Sequence, residues 1–413
     1  MIRAITPKLF HYAWGSTTSI PDMLGMEATD LPVAEAWLGD VARVVVADGT
    51  SMTLADLIAD DPTSALGHAR LDELPYLVKL LAAQSPLSIQ VHPTATAARV
   101  GYDRECSLGI PETHPTRIFR DRNPKPEAIL ALEHFELLAG FRDPAETAKL
   151  IRALPVPALE RTAALLSANG AAAIRNAVTE LCALEVEVVS AIIDGIVAAS
   201  TGAVPVEHAA VVRRVTDLAA SYPADIGVVL ALLMNHVVLE RFDLAFIDVG
   251  VVHTYLGGLG LEVMGNSDNV IRGGLTVKHV DVTELLHQLD FEPGLPLVVR
   301  QSERPDAKTG LAIPTEQFRL SLIRIDDASI EFKGEGPEIV VVLEGQFTVT
   351  EFGEGGDAAP IDLRLGQAVF IGAITERYRV VGRGRLGRVV RGTAEPVKSV
   401  ETTAAPGVVG FEG

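Results

Sequence analysis

Apolar positions over the first 140 residues come in short runs broken by Pro, Gly and Asp, a spacing that predicts strands, with PYLVKLLAAQ from Pro75 as the longest apolar element. In this region LSIQVHP alternates strictly. Leu87, Ile89 and Val91 share one face, and Ser88, Gln90 and His92 share the other. A polar strand face is ordinarily the solvated side of an antiparallel sheet. In a barrel or sandwich the same face points inward, and Gln90 and His92 then project together, as two ligands of one metal would. From Asp143 to about Glu240 the chain turns Ala- and Leu-rich with helical spacing, in AETAKLIRAL, LERTAALLSANGAAAIRNAVTELCAL, VEVVSAIIDGIVAAS, EHAAVVRRVTDLAAS and ADIGVVLALLMNHVVL. About five helices inserted into a β chain follow from this. After a turn-rich connection from Phe291 to Pro305, runs such as FRLSLIRI, SIEFKG, EIVVVLEGQFTVTEF, IDLRLGQAVFIG, YRVVG and LGRVVRG recur at the intervals of a small sandwich or barrel.

The densest chemistry lies in DVGVVHTYLGGLGLEVMGNSDNVIRGGLTVKHVD, from Asp248 to Asp281. Alternation puts His253 and Tyr255 on one face of a strand, and Leu261 and Val263 on the face opposite Glu262 of another. The glycines between them permit the close backbone approach that frames small-molecule sites. A pair of surface hairpins with one incidental histidine fits the same pattern. Further back, the cation-rich loop from Arg117 runs to Lys125-Pro126-Glu127, where Pro124 and Pro126 stiffen the backbone around Lys125 and Glu127 opens a strand. Its alternative reading is a solvated basic loop. His208 and His236 fall in the helical run and read as surface or packing residues. No histidine follows His287, so the last unit is expected to be structural and without a transition metal.

With 413 residues, 48% hydrophobic and 22% charged, the chain is globular and long enough for two to three domains. Its formal net charge of −19 excludes a general nucleic-acid surface but leaves room for a local basic pocket. MIRAITPKLFHYAWG has no apolar core of signal-peptide length, and the apolar run near Val228 to Met234 is far short of a membrane span, so a soluble cytoplasmic protein is expected. Cys106 and Cys182 are too few for a disulfide framework.

Gln90, His92, Glu127 and His253 together offer two imidazole nitrogens and two side-chain oxygens with space for water. That mixed set suits catalytic zinc, and manganese, iron or cobalt fit the same donors.

The chain closely resembles the type I mannose-6-phosphate isomerases, zinc enzymes of the cupin class. The likeness is carried by Tyr12-Ala-Trp14-Gly15, Ala34-Glu35-Ala-Trp37-Leu-Gly39, Pro75-Tyr-Leu-Val-Lys79, Leu87-Ser88-Ile-Gln90-Val-His92-Pro93, Lys125-Pro126-Glu127 and Phe135-Glu136-Leu-Leu-Ala-Gly140-Phe141-Arg142. Further on it is carried by Glu262-Val-Met264, Asn266-Ser-Asp-Asn269 and Arg272-Gly-Gly274-Leu-Thr-Val-Lys278. The first 300 or so residues match well. The helical run and the last unit match in layout more than in sequence. The resemblance implies a mainly β fold of two cupin-like jelly rolls with an inserted all-helical domain. The expected catalytic jelly roll comprises 1–142 and 242–304, the helical insertion 143–241, and a metal-free C-terminal jelly roll 305–413.

It further implies one Zn²⁺ per chain on Gln90, His92, Glu127 and His253, and an essential Arg272. Ser88, Lys79, Lys125, Glu262 and Lys278 fall among the pocket residues, with Trp14 at the substrate. The implied reaction interconverts mannose 6-phosphate and fructose 6-phosphate through a cis-enediol, feeding GDP-mannose metabolism. Arg272 would face the developing charge, Glu262 or Lys125 would shuttle the proton, and Ser88, Lys79 and Lys278 would hold the phosphate. A small-molecule substrate, no nucleic acid, no membrane and a monomer, with a homodimer as alternative, complete the expectation.

The pattern departs from the family at Asn123-Pro124, where the family has Asn-His, and at Asp248-Val249-Gly250, where it has Pro-Ala-Gly. It also departs at Met264-Gly265-Asn266, for Met-Ala-Asn, and at Asp40-Val41, where a Gly-x-His is missing. The first three bear on loop shape rather than on ligands, and the last bears on the pocket edge near Trp37. The competing readings are a non-catalytic cupin that binds a sugar phosphate, a cupin dioxygenase, and an isomerase of another sugar phosphate.

Overall fold

The computed structural model describes residues 1–392 except 28–29, 47–48, 69–71, 169, 203, 304–312 and 354–357. The expected boundary at 304–305 and the turn residue Asn169 lie outside the described residues. Two antiparallel sheets, of eleven and eight strands, form the frame, and a run of helices packs against the larger one.

Tyr76–Ala83 shows how the larger sheet is built. All eight of its residues are buried, because both of its faces are covered. Tyr76, Val78, Leu80 and Ala82 face the smaller sheet and pack in one cluster with Phe318, Ile339, Phe370 and Val389. Leu81 and Ala83 face the opposite way, into a cluster with Phe135, Leu137 and Tyr255. Lys79 shares that second face by alternation, so a cation enters the larger sheet's inner side.

The smaller sheet runs in the order Arg319–Lys333, Arg377–Val390, Glu338–Glu351 and Ala368–Ile371, then Ile2–Thr6, Arg43–Val45 and Ser51–Thr53. Three segments expected in the first unit therefore hydrogen-bond into the sheet of the last, with Ile2 paired to Ile371 and Ile5 to Ala368. Alternation reveals which face of a strand is buried, but not which edge it joins. In the last unit, runs read as separate strands fuse. Arg319–Lys333 passes through an irregularity between Ile325 and Ala328, and Arg377–Val390 passes through Gly382 and Gly384.

The helices Pro144–Ala153, Glu160–Leu166, Ala171–Cys182, Val186–Ser200, Val206–Ser221 and Ile226–Leu230 occupy the Ala- and Leu-rich run. Asp143 caps the first, its Oδ1 accepting from Glu146 N at 3.0 Å, and Pro144 sits where its missing N–H has no consequence. In Val186–Ser200 the buried stripe is Val189, Ile192, Ile193 and Ile196, at helical spacing. The helical run ends at Leu233, short of the expected residue 241. Met234–Leu239 is instead a strand paired with Phe135–Phe141. A mostly apolar run such as VVLALLMNHVVL suits a buried helix or a buried strand alike, and the available partner strand decides. His236 thus lies on a strand, its Nε2 2.8 Å from Glu136 Oε2. Among the described residues, no helix is long and apolar enough to cross a membrane.

Candidate active site

His253–Gly265 is one thirteen-residue strand rather than a pair of hairpins. Its first part pairs with Phe135–Phe141 and with Gln90, and its second part pairs with Tyr76–Ala83 and Glu127–Ala131. The register shifts between Tyr255 and Gly257. One extra residue there reverses the alternation, so odd-numbered His253 and Tyr255 and even-numbered Glu262 face the same interior. Gly258 (φ 122°) is required at this bend, because a Cβ would lie 2.6 Å from His134 O.

Pairing across strands gathers the remaining groups. Gln90 stands opposite both His253 and Arg272, and Lys79 stands opposite both Trp37 and Glu262. One cavity of about 740 Å³ is lined by Trp14, Lys79, Ser88, Gln90, Lys125, Glu127, His253, Glu262, Arg272 and Lys278. His92 lies behind its floor, buried and 3.1 Å through Nε2 from Glu127 Oε1. Every residue singled out from the sequence therefore converges on one place.

His92, Glu127 and His253 present ligand atoms all within 4.8 Å of one another. His92 Nδ1 donates to Asn269 O at 2.7 Å, which leaves Nε2 as a bare lone pair. That nitrogen is buried and has no hydrogen-bond partner among the described residues, yet it faces a carboxylate oxygen. Burial, outweighing the attraction of Glu127, pulls the His92 imidazole down to about 4, so it is neutral at physiological pH. His253 repeats the arrangement, with Nδ1 3.0 Å from Val251 O and Nε2 3.2 Å from Glu127 Oε2. Two lone pairs aimed at one carboxylate repel unless a cation sits between them. Imidazoles fixed by backbone carbonyls through their other nitrogen are the usual supports of a metal ligand. These residues fit a zinc ion, and Gln90 lines the same space.

A carboxylate network surrounds this centre. Burial raises the Glu127 carboxyl, but the Lys125 ammonium, with Nζ 3.0 Å from Oε1, outweighs it and holds it well below the usual range. Burial and Glu127 keep Glu262 above its ordinary range despite Lys79. Tyr255 OH donates to Glu262 Oε1 at 2.7 Å. Lys79 Nζ lies 2.7 Å from Glu262 Oε2 and 2.7 Å from Glu35 Oε1, which also fixes Trp37 through the other Glu35 oxygen at 2.8 Å. The contact to Glu262 is close but off the hydrogen-bonding line, so Oε2 lacks an aimed donor. Lys79, expected at the phosphate, thus makes its close contacts to two carboxylates.

Free positive charge lies elsewhere. Burial and the neighbouring Arg120 lower Arg272, and burial, Arg272 and Arg120 lower Lys278. These three cations have no ion-paired partner among the described residues. Sequence reasoning passed over Arg120, Glu35 and Tyr255 as participants. Their available signals were the cationic loop from Arg117, the alternation of Glu35 with Trp37, and the shared face of Tyr255 and His253. Two departures from the family pattern meet in space, since a Cβ at Gly265 would lie 2.5 Å from Pro124 O.

Comparison with known proteins decides the family. The mannose-6-phosphate isomerase of Escherichia coli (strain K12) is 33% identical over 393 residues, spanning 92% of this chain and 97% of that enzyme. The chain belongs to the mannose-6-phosphate isomerase family. The family model "Phosphomannose isomerase type I, catalytic domain" matches residues 2–144. The Homo sapiens mannose-6-phosphate isomerase is 28% identical over 408 residues, 88% of this chain and 91% of that one. A holo, zinc-bound crystal structure of mannose 6-phosphate isomerase superposes with a TM-score of 0.84 at 29% identity, covering 95% of this chain and 100% of that one. A point mutant of the Salmonella typhimurium phosphomannose isomerase gives 0.85 at 30% identity, with the same coverage.

Proposed function

We propose that this chain is a zinc-dependent aldose–ketose isomerase that interconverts mannose 6-phosphate and fructose 6-phosphate. The observation that carries the proposal is the buried His92–Glu127–His253 set, whose His92 Nε2 is unmatched among the described residues, in a chain of this family, with Arg120, Arg272 and Lys278 unpaired among the same residues. Gln90, His92, Glu127 and His253 hold the metal. When bound there, zinc supplies positive charge toward the sugar oxygens.

The chain's own residues do the rest. Moving a proton between C1 and C2 passes through a cis-enediol, and negative charge grows on oxygen. Arg272, a fixed cation without a carboxylate of its own, faces that charge. Glu262 and Lys125 are the groups placed to move the proton. Burial tunes Glu262 upward toward the range a general base needs. We assign Lys79 and Tyr255 to holding Glu262 in place, and Lys278, Ser88 and Arg120 to the phosphate. Trp14, stacked on Tyr12 with centroids 5.6 Å apart, flanks the sugar.

We read the scaffold as two cupin-like jelly rolls with an inserted helical domain. Residues 1–142 and 234–304 make the catalytic part, 143–233 the helical insertion, and 305–413 a C-terminal part without a metal. The segments Ile2–Thr6, Arg43–Val45 and Ser51–Thr53 complete the C-terminal sheet. The working form we propose is a cytoplasmic monomer acting on a free sugar phosphate. An assay coupling mannose 6-phosphate consumption to fructose 6-phosphate formation tests the activity. Turnover that is abolished by chelation and restored by zinc supports the reading, and a purified protein that binds zinc without converting the sugar phosphate overturns it.

A further inference from the structure

The cation Lys278 sits on a turn that the helical run holds, and the holding group is one carboxylate. Asp225 lies between the helices Val206–Ser221 and Ile226–Leu230. Its Oδ1 accepts from Gly227 N at 2.7 Å and from Leu275 N at 2.9 Å, and its Oδ2 accepts from Thr276 N at 3.1 Å. The chain of contacts continues toward the cavity, because Thr276 Oγ1 accepts from Lys278 N at 3.1 Å.

Capping accounts for only one of the three bonds to Asp225. The contact to Gly227 N satisfies the start of a five-residue helix. The other two reach fifty residues along the chain to a turn that needs restraint. Leu275 takes φ 54°, a left-handed conformation that its side chain disfavours, while that side chain is buried in the helical core. The approach is close enough that a Cβ on Gly274 would lie 2.6 Å from Gly227 Cα, and one on Gly227 would lie 2.7 Å from Leu275 N. Ser221 and Tyr222, from the same helical connection, line the cavity that Lys278 also lines.

We propose that Asp225 is a positioning residue for substrate recognition: it clamps the Gly274–Thr276 turn so that Lys278 meets the phosphate end of the sugar. The helical run thereby becomes part of the phosphate site without contacting phosphate through Asp225 itself. This assignment rests on the sugar-phosphate isomerase reading above. Arg272 lies just before this turn but is held separately, by the pairing of Ile271–Gly274 with Ile89–Val91, so loosening the turn weakens phosphate binding more than chemistry.

Steady-state kinetics on mannose 6-phosphate, with calorimetry of inorganic phosphate binding, test it. Asp225→Ala is expected to raise KM about 10-fold, the scale of a lost charge-assisted contact, with kcat within about 2-fold. Zinc content should be unchanged and phosphate affinity should fall by a similar factor. In a Lys278→Met background, Asp225→Ala should add little, because the clamp acts through the lysine. If Asp225→Ala does not fold, Asp225→Asn keeps the acceptor for Gly227 and Leu275, removes the one for Thr276, and should raise KM a few-fold. Unchanged KM and phosphate affinity, or effects that multiply with Lys278→Met, would overturn the clamp. A wild-type protein that binds phosphate but converts no mannose 6-phosphate would instead sink the isomerase reading and leave the phosphate measurement on Asp225 intact.

Discussion

Each sheet buries a tyrosine, a glutamate and a long cation in contact, and the two trios differ in how completely they are satisfied. In the smaller sheet, Glu338 Oε2 accepts from Tyr378 OH and from Arg388 Nε, each at 2.7 Å. Its Oε1 accepts from Glu335 N at 2.8 Å and Arg388 Nη2 at 2.9 Å, and Arg388 Nη1 reaches Glu335 Oε1 at 2.9 Å. In the larger sheet, Tyr255 meets Glu262 Oε1 at the same 2.7 Å and Lys79 Nζ lies 2.7 Å from Oε2, but His92 Nε2 has no hydrogen-bond partner among the described residues. A closed network rigidifies a core, whereas an open one keeps donor atoms for something else. The difference separates a structural unit from a reactive one on chemical grounds.

Breaking the open network should be most severe at the metal. His253→Ala is expected to remove zinc and abolish turnover together, read by elemental analysis and the coupled assay; a fully metallated inactive variant would place His253 outside the ligand set. Arg272→Ala should lower kcat by about 10²- to 10³-fold with zinc retained, and a change confined to KM would reduce Arg272 to a binding group. The closed network should respond in stability instead. Glu338→Ala takes the partner from Arg388 Nε and leaves the buried guanidinium Glu335 as its remaining carboxylate, which should cost up to about 3–5 kcal/mol in urea unfolding, with kcat of the folded fraction unaltered. Replacing both partners, Glu338→Met with Arg388→Leu, should recover most of that loss, whereas no apolar pair can rescue the metal centre.

A smaller effect lies outside both networks, at Asp40. Burial raises its carboxyl from 3.8 to about 6, although Asn266 Nδ2 donates to it at 3.2 Å. Between those values the folded protein holds a proton that the unfolded chain has released. Stability attributable to this group is therefore greatest below pH 4 and falls as pH rises to about 6. Asp40→Asn should raise unfolding free energy by roughly 1 kcal/mol at pH 8 and by nothing near pH 4, a shift discounted for the group's partial exposure. An equal gain at both pH values would show that ionisation is not the cause.

Much of the site is legible in the chain because its parts are local. Ser88, Gln90 and His92 share a face by simple alternation, and Lys125-Pro126-Glu127 is contiguous. What escapes is non-local. The bulge at Gly257 reverses the facing of Glu262 relative to His253, and no period of two anticipates it. Met234–Leu239 becomes a strand only because Phe135–Phe141 offers it an edge. Lys79 looks like a phosphate cation until Glu35 and Glu262 are found on either side of it. Asp225 looks like one more helix cap until Leu275 and Thr276 arrive.

The pairing of Ile2–Thr6 with Ala368–Ile371 bears on how the molecule is made. Arg43–Val45 follows within about forty residues and can pair one edge of the first strand, but the edge that Ala368–Ile371 occupies must wait while the catalytic sheet and the helices are synthesised. Contacts spanning so much of the chain slow closure, and the waiting edge is open to mispairing. The smaller sheet thus acts as the latch that closes last. A nascent chain halted before Ala368 should remain protease-sensitive at its beginning even after its metal ligands have all emerged.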